Sequence, residues 1–380
     1  MEAFVADSSD AVHKRQYRLV RPVKLNGIEA ARGIAALLVV MLHATTMNAG
    51  PRMLGEWPVG GLFRFAHAGV DFFFVLSGFI IYFVHAVDIG HPNSIGWYLW
   101  KRLARIYPTY WIVFAIYGVI LAVSPTKEGL ERNFWHVVAS GLLVPENNQP
   151  ILGVAWSLRH EVLFYFLFGF LLLNRRFGGI LLGIWATLTF LNAIVITVHG
   201  PPYFDGIWGD LVFRSFNLEF FFGIAVAHLI LNGERRLGRL ISAIGAMMFL
   251  CNGLLESFGP TSQAEWPPRQ LVYALGSALA VYGLAAADLD GKLRLRRPII
   301  ALGAASYSIY LTHVVVIMLV QQAMLMVRPH LVLSRDLWFG IMVISAVSAG
   351  IVFARHVEHP ITKLLRQSIL SPRRKSHHGP

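Results

Sequence analysis

The sequence predicts an all-α, polytopic membrane bundle of about ten transmembrane helices with both termini cytoplasmic, and three observations predict it. Composition is the first: of 380 residues, 56% are hydrophobic and 14% charged, against about 25% charged in soluble domains, and the mean hydropathy is +0.56. The second is a series of apolar runs at about 28–47, 62–86, 107–124, 154–173, 179–198, 210–231, 239–258, 270–287, 298–327 and 337–358. Each is close to the roughly 20 residues a helix needs to cross hydrocarbon. The third is the placement of basic residues: with the N-terminus inside, the inner segments carry 22 Lys and Arg and the outer ones 6. That asymmetry is what orients membrane proteins, so both ends are assigned to the cytoplasm.

The connections follow from the same frame. Residues 1–24 contain Lys14, Arg15, Arg18, Arg21 and Lys24 but no cleavable apolar core, and are expected to be a retained cytoplasmic tail. The transmembrane domain is expected over 25–362 and a basic cytoplasmic tail over 363–380. Outer segments carry Trp57, Trp135, Trp208 and Trp266, suited to interfacial anchoring. The stretch "FWHVVASGLLVP" is apolar but too short to span and reads as interfacial or re-entrant. A net charge of +12 with a pI near 10.0 follows from the loop bias and gives no reason to expect a nucleic-acid partner. The lone Cys251 excludes an internal disulfide and a multi-cysteine metal site, and no phosphate loop, dinucleotide fingerprint or metal motif is present.

Ionisable residues inside spans are costly and mark substrate paths or reaction centres. "RGIAALLVVMLHA" sets Arg32 near the inner end of the first span and His43 eleven residues on, about 16 Å along a helix. Counted from the outer face, His43, Asp71, Glu161 and Glu219 fall in one depth band. Tyr307, Tyr310 and His313 approach the middle from the inner side, and Arg355 and Glu358 close the last span. The expectation is a polar shaft, acidic and histidine-bearing outside and cationic inside. His43 has the chemistry of a general base for a hydroxyl, with Glu161 of "WSLRHEVLFYF" orienting it. In "KRLARIYPTYW", Lys101, Arg102 and Arg105 can grip phosphates, Arg102 and Arg105 sharing a helix face; positive-inside topology would also place them there. Tyr310 and His313 of "SYSIYLTH" can face one cavity as oxyanion donors, and Asp71 belongs to a polar network. Ser77 and Gly78 permit close helix approach, and His160 has a structural or interfacial place.

Six segments, "GIEAARGIAALLVVMLH", "GVDFFFVLSGFII", "KRLARIYPTYW", "AWSLRHEVLFYFLF", "ASYSIYLTH" and "VEHPITKLL", occur in an order that resembles the acyltransferase-3 family, particularly its exopolysaccharide O-acetyltransferases. The resemblance implies transfer of an acyl group, usually acetyl, from cytoplasmic acyl-CoA to a sugar hydroxyl at or beyond the outer face. It implies an essential arginine and histidine at Arg32 and His43, a donor-binding cluster at Arg102 and Arg105, an acidic residue at Glu161 and a late tyrosine and histidine at Tyr310 and His313. Glu29 departs from the residues common in that family at its position. Acetyl-CoA would be a substrate, with no tightly bound cofactor and no metal; the partners would be a glycan acceptor and the bilayer, and the location the bacterial inner membrane. The competing class is a glycan or lipid-linked sugar transporter or flippase, whose shaft would be a substrate path; no paired broken helices of the transporter kind are visible in the sequence.

Overall fold

The computed structural model describes residues 24–50, 55–123, 133–259, 266–327 and 333–370. The tail residues 1–23 and 371–380, and Arg52, Lys127, Arg132 and Arg328 of the charge comparison, lie outside the described residues. Among the described residues every regular element is helical, and ten stretches are long and apolar enough to cross a membrane. The chain is an integral membrane protein. Large apolar side chains such as Trp111, Val119, Ile180, Met247 and Ile344 face outward, which would be costly in water and is ordinary in lipid.

Helix α1 (Asn26–Ala49) is rich in Ala, Leu and Val, and its buried small residues Ala35, Ala36, Val40 and Ala44 let neighbours approach closely. Tight turns over Pro58–His67, entered through the left-handed residues Val59, Gly60 and Gly61, run directly into α2 (Ala68–His85). Helix α3 (Ile95–Val123) begins twelve residues before the expected third span. The basic "KRLAR" segment was expected to flank a span, but Lys, Arg, Leu and Ala are good helix formers and continue the helix. Pro108 consequently sits inside α3 rather than near its start, where its missing N–H removes one helical hydrogen bond.

The short apolar stretch forms a nine-residue helix, α4 (Phe134–Leu142). Tyr107, Tyr110 and Trp111 of α3 donate to the carbonyls of Leu142, Ser140 and Gly141, so the free carbonyls at its C-terminal end are satisfied. Helices α5 (Trp156–Leu173) and α6 (Arg175–His199) form a hairpin, with the Asn174 side chain capping the N–H groups of Arg176 and Phe177. The expected run 210–231 is broken into α7 (Gly206–Val212) and α8 (Asn217–Leu231). The carbonyls freed there accept from Trp185, Asn192 and Asn217, so the break leaves them satisfied within the protein.

Helices α9 (Gly238–Phe258) and α10 (Pro267–Leu289) pack together along their length. The expected run 298–327 splits at Ala305 into α11 (Arg297–Ala304) and α12 (Ser306–Val327). Helix α13 (Arg335–Phe353) passes through a five-residue π turn, Ala354–Glu358, into α14 (His359–Leu370). Helix α1 is the hub, packing against α2, α10, α11, α12 and α13.

One close crossing is between α2 and α8, where glycines replace side chains on both helices. A Cβ on Gly78 would run into the Phe220 carbonyl, and one on Gly223 into the Val75 carbonyl. Gly78 therefore has the packing role expected of it. Gly223→Leu is expected to overpack this crossing by more than about 1–3 kcal/mol. The measurement is the thermal midpoint and folded yield in detergent, with Gly183→Ala, whose Cβ would meet nothing within 4 Å, as the silent control.

Candidate active site

Two cavities meet inside the bundle. One, of about 80 Å³, is lined by Arg32 of α1, Arg102 and Arg105 of α3, Glu161 and Tyr165 of α5, and Ser306 and Tyr307 of α12. The other, of about 320 Å³, is lined by His43, Arg64, His67, Asp71 and Trp156. Val70 and Tyr310 line both and form the partition between an arginine chamber and a histidine chamber.

In the histidine chamber, His43 Nδ1 is 2.9 Å from the Val39 carbonyl and 3.2 Å from His313 Nε2. His313 Nδ1 is 2.7 Å from the Tyr310 carbonyl, and the two imidazoles pack edge to face with centroids 4.8 Å apart. Carbonyls only accept, so in the neutral rings both Nδ1 atoms carry hydrogen, His313 Nε2 accepts from His43, and His43 Nε2 keeps its lone pair. A free imidazole lone pair of this kind is what a general base needs. Its side-chain partner is His313, fully buried on α12.

That arrangement corrects the expected pairing of His43 with Glu161. Glu161 lines the other chamber and accepts from the Tyr165 hydroxyl and, at 3.4 Å, from Ser77 Oγ of α2. Depth counted along a helix fixes height but not rotation about the membrane normal, and α5 turns Glu161 toward the arginines. Tyr310 is likewise committed: its hydroxyl donates to the Val154 carbonyl at 2.9 Å and lies 2.7 Å from Ser157 Oγ. With His313 Nε2 accepting from His43, neither residue of the expected oxyanion pair offers a free donor in this arrangement. The cation lining the same chamber as His43 is Arg64, which donates to the Ser257 carbonyl at 3.2 Å. Sequence reading passed over Arg64; its place inside an apolar span was the signal.

Asp71 Oδ2 is 3.9 Å from His67 Nδ1, and the carboxylates of Asp71 and of Glu219 on α8 are both buried. His67 Nε2 is 2.7 Å from Glu256, which also accepts from Tyr273 at 2.7 Å. His67, Glu256 and Tyr273 in this string are residues that the sequence did not single out. The i, i+4 spacing of His67 and Asp71 was the available signal for one of them.

In the arginine chamber, Arg32 lies 3.4 Å from Glu29, and its other charged neighbours include Arg105, Glu161 and Glu358. The π turn brings Glu358 within 2.5 Å of Ser308 Oγ. Arg102 is buried, and Arg105 is exposed to the chamber mouth. Lys101 is not with them: it is exposed on α3, its ammonium 4.6 Å from the centre of the Trp97 ring. His160 is buried and hydrogen-bonds Asn217 at 3.0 Å, a structural tie between α5 and α8.

The bundle of ten candidate spans sets a cationic chamber against a pair of histidines. The chain belongs to the acyltransferase-3 family: residues 25–355 match its acyltransferase domain. It is similar to the exopolysaccharide production protein ExoZ of Rhizobium meliloti (strain 1021), with 28% identity over 80% of this chain and 92% of that protein. It is also similar to the acyltransferase MdmB of Streptomyces mycarofaciens, with 27% identity over 78% of this chain and 80% of that protein. No solved structure matches the chain. The protein is a membrane acyltransferase, and the transporter expectation is set aside.

Proposed function

We propose that the protein is an O-acyltransferase that moves an acyl group, acetyl in the first instance, from acyl-CoA to a sugar hydroxyl of an exopolysaccharide or related envelope glycan. The observation that carries this reading is the contact of the two chambers across Val70 and Tyr310. CoA is a polyanion on a long thin arm. Arg102 and Arg105 suit its phosphates, with Lys101 outside the chamber as a further positive charge. A chamber of about 80 Å³ suits the thin arm better than the bulky nucleotide. Arg32, eleven residues from His43 and so about 16 Å away along α1, acts on the donor's arm rather than on the reacting carbon. Glu161 balances the arginines and fixes Tyr165.

In the histidine chamber, His43 Nε2 takes the proton of the acceptor hydroxyl while its oxygen attacks the thioester carbon. The C–S bond breaks as the ester forms, and the proton on Nε2 passes to the departing CoA thiolate. Arg64 is the cation available to the oxyanion of the intermediate, and His313 holds the tautomer. An acetyl-histidine intermediate is the competing order of steps. The ten spans and the bias of basic residues favour a bacterial cytoplasmic membrane with both termini and the arginine chamber on the cytosolic side. The exopolysaccharide acceptor is favoured by the relative whose name records exopolysaccharide production.

The test is transfer of label from radiolabelled acetyl-CoA to de-O-acylated envelope glycan in membranes holding the protein. Label on the glycan, released by mild alkali as an O-ester is, is the expected result. Absence of label on glycan with every acyl-CoA supplied overturns the proposal. Intersecting double-reciprocal plots are expected for direct transfer, and parallel ones would replace it by a covalent acyl-enzyme route, of which acetyl-histidine is one form.

A further inference from the structure

A third cavity, of about 340 Å³, opens beside the histidine chamber. Trp156 and Phe216 line both. Its other walls are the segment after α4, with Glu146, Asn147, Asn148 and Gln149, the α5 residue Arg159, and Asp210 and Arg214 around α7.

The chemistry of this cleft is unlike that of either chamber. Two guanidiniums are balanced by two carboxylates, and three side-chain amides supply both donors and acceptors. A phosphate site would carry an excess of positive charge and an acyl pocket would be apolar; a balanced polar lining beside an indole suits a neutral polyhydroxyl ring. Arg159 is only 8% exposed, and its Nε and Nη2 have no hydrogen-bond partner. The nearest carboxylate oxygen, on Glu146, is 3.8 Å from Nη2 and already lies 2.5 Å from His136. Leaving such donors unmet in a buried place is costly, and a ligand hydroxyl oxygen would meet them. The cleft is also preformed. His136 holds Glu146, Ser140 Oγ accepts from the Ile151 N–H at 3.2 Å, and three aromatic residues of α3 hold α4 itself.

We infer that this cleft is the acceptor subsite: it holds a neutral pyranose unit of the glycan and presents one hydroxyl past Trp156 and Phe216 to His43. The inference rests on the O-acyltransferase reading and adds to it the place and the chemistry of acceptor binding. Selectivity among glycans is then set by the amides and by Arg159, outside the reaction chamber.

The experiment uses the full-length protein, radiolabelled acetyl-CoA and one defined probe: exopolysaccharide of the source bacterium, de-O-acylated with mild alkali and cut to oligosaccharides. Asn148→Ala and Asp210→Asn alter exposed side chains and leave the packed core intact. Each is expected to raise the KM for oligosaccharide by about tenfold with the KM for acetyl-CoA changed less than twofold. Arg159→Met is expected to do the same more strongly. An unchanged oligosaccharide KM in both surface variants, with transfer intact, overturns the subsite and leaves the acyltransferase reading standing. Competition by inorganic phosphate in place of free monosaccharide would make the cleft an anion site and also overturn it. Failure of the wild type to label the oligosaccharide, when it labels another acceptor, removes the glycan reading and the subsite together.

Discussion

Replacing His43 by alanine is expected to lower acyl transfer by about 10²- to 10⁴-fold at saturating donor and acceptor, the contribution of a positioned general base. The structural ground is the free Nε2 of an imidazole whose Nδ1 is engaged by Val39 and His313. His313→Gln tests the orienting role. It should reduce kcat by less than His43→Ala does while leaving the KM for acetyl-CoA unchanged. The double variant should be no worse than His43→Ala alone, because groups that act as a unit lose their function together. Additive losses, or a fall in folded yield that tracks activity, would mean that His313 only fills space between α1 and α12.

The second large effect concerns the donor. Arg102→Ala and Arg105→Ala each remove a cation that can form charge-assisted hydrogen bonds to phosphate, worth about 1.5–3 kcal/mol apiece. The KM for acetyl-CoA should rise by roughly ten- to a hundredfold for each, at about 1.4 kcal/mol per factor of ten. Lys101→Ala, which alters an exposed side chain over Trp97, should change it by less than about threefold, as exposed charges do. The informative control is an acetyl thioester of N-acetylcysteamine, which has the reactive end of the donor and no phosphate. Its KM should be the same in the wild type and both arginine variants. A matching rise with this short donor would place the arginines at the thioester end and overturn their assignment to phosphate.

Much of this architecture could be read from the sequence because hydrocarbon leaves a chain few choices. Ten apolar runs became ten candidate spans, and the pairing of Arg32 with His43 on one helix followed from spacing alone. What could not be read was rotation and continuity. Glu161 and His43 were assigned to one depth, yet α5 aims Glu161 at the arginines and His313 stands where a carboxylate was expected. The helix α3 ran through its basic residues because charge does not stop a helix, whereas Ala305 and the segment between Val212 and Asn217 interrupted apolar runs that composition left continuous. The ties of Arg64 to Ser257 and of His67 to Glu256 were missed because they join segments 193 and 189 residues apart. The amide-lined cleft was illegible for the same reason: its walls come from segments about sixty residues apart, which only folding brings together.

The thin wall of Val70 and Tyr310 also bears on how the cell can tolerate such a protein. On the proposed function, a passage that takes a thioester from one face and a sugar from the other would be two side chains away from being a hole. An energised membrane drives each proton with about 2.3 kcal/mol per 100 mV, so an open passage would drain the gradient that the cell works to maintain. Tyr310, pinned by Val154 and Ser157, is then expected to serve as insulation as well as architecture. A cell expressing Tyr310→Gly would suffer first through proton leakage and slowed growth, before any defect in its surface polysaccharide became visible.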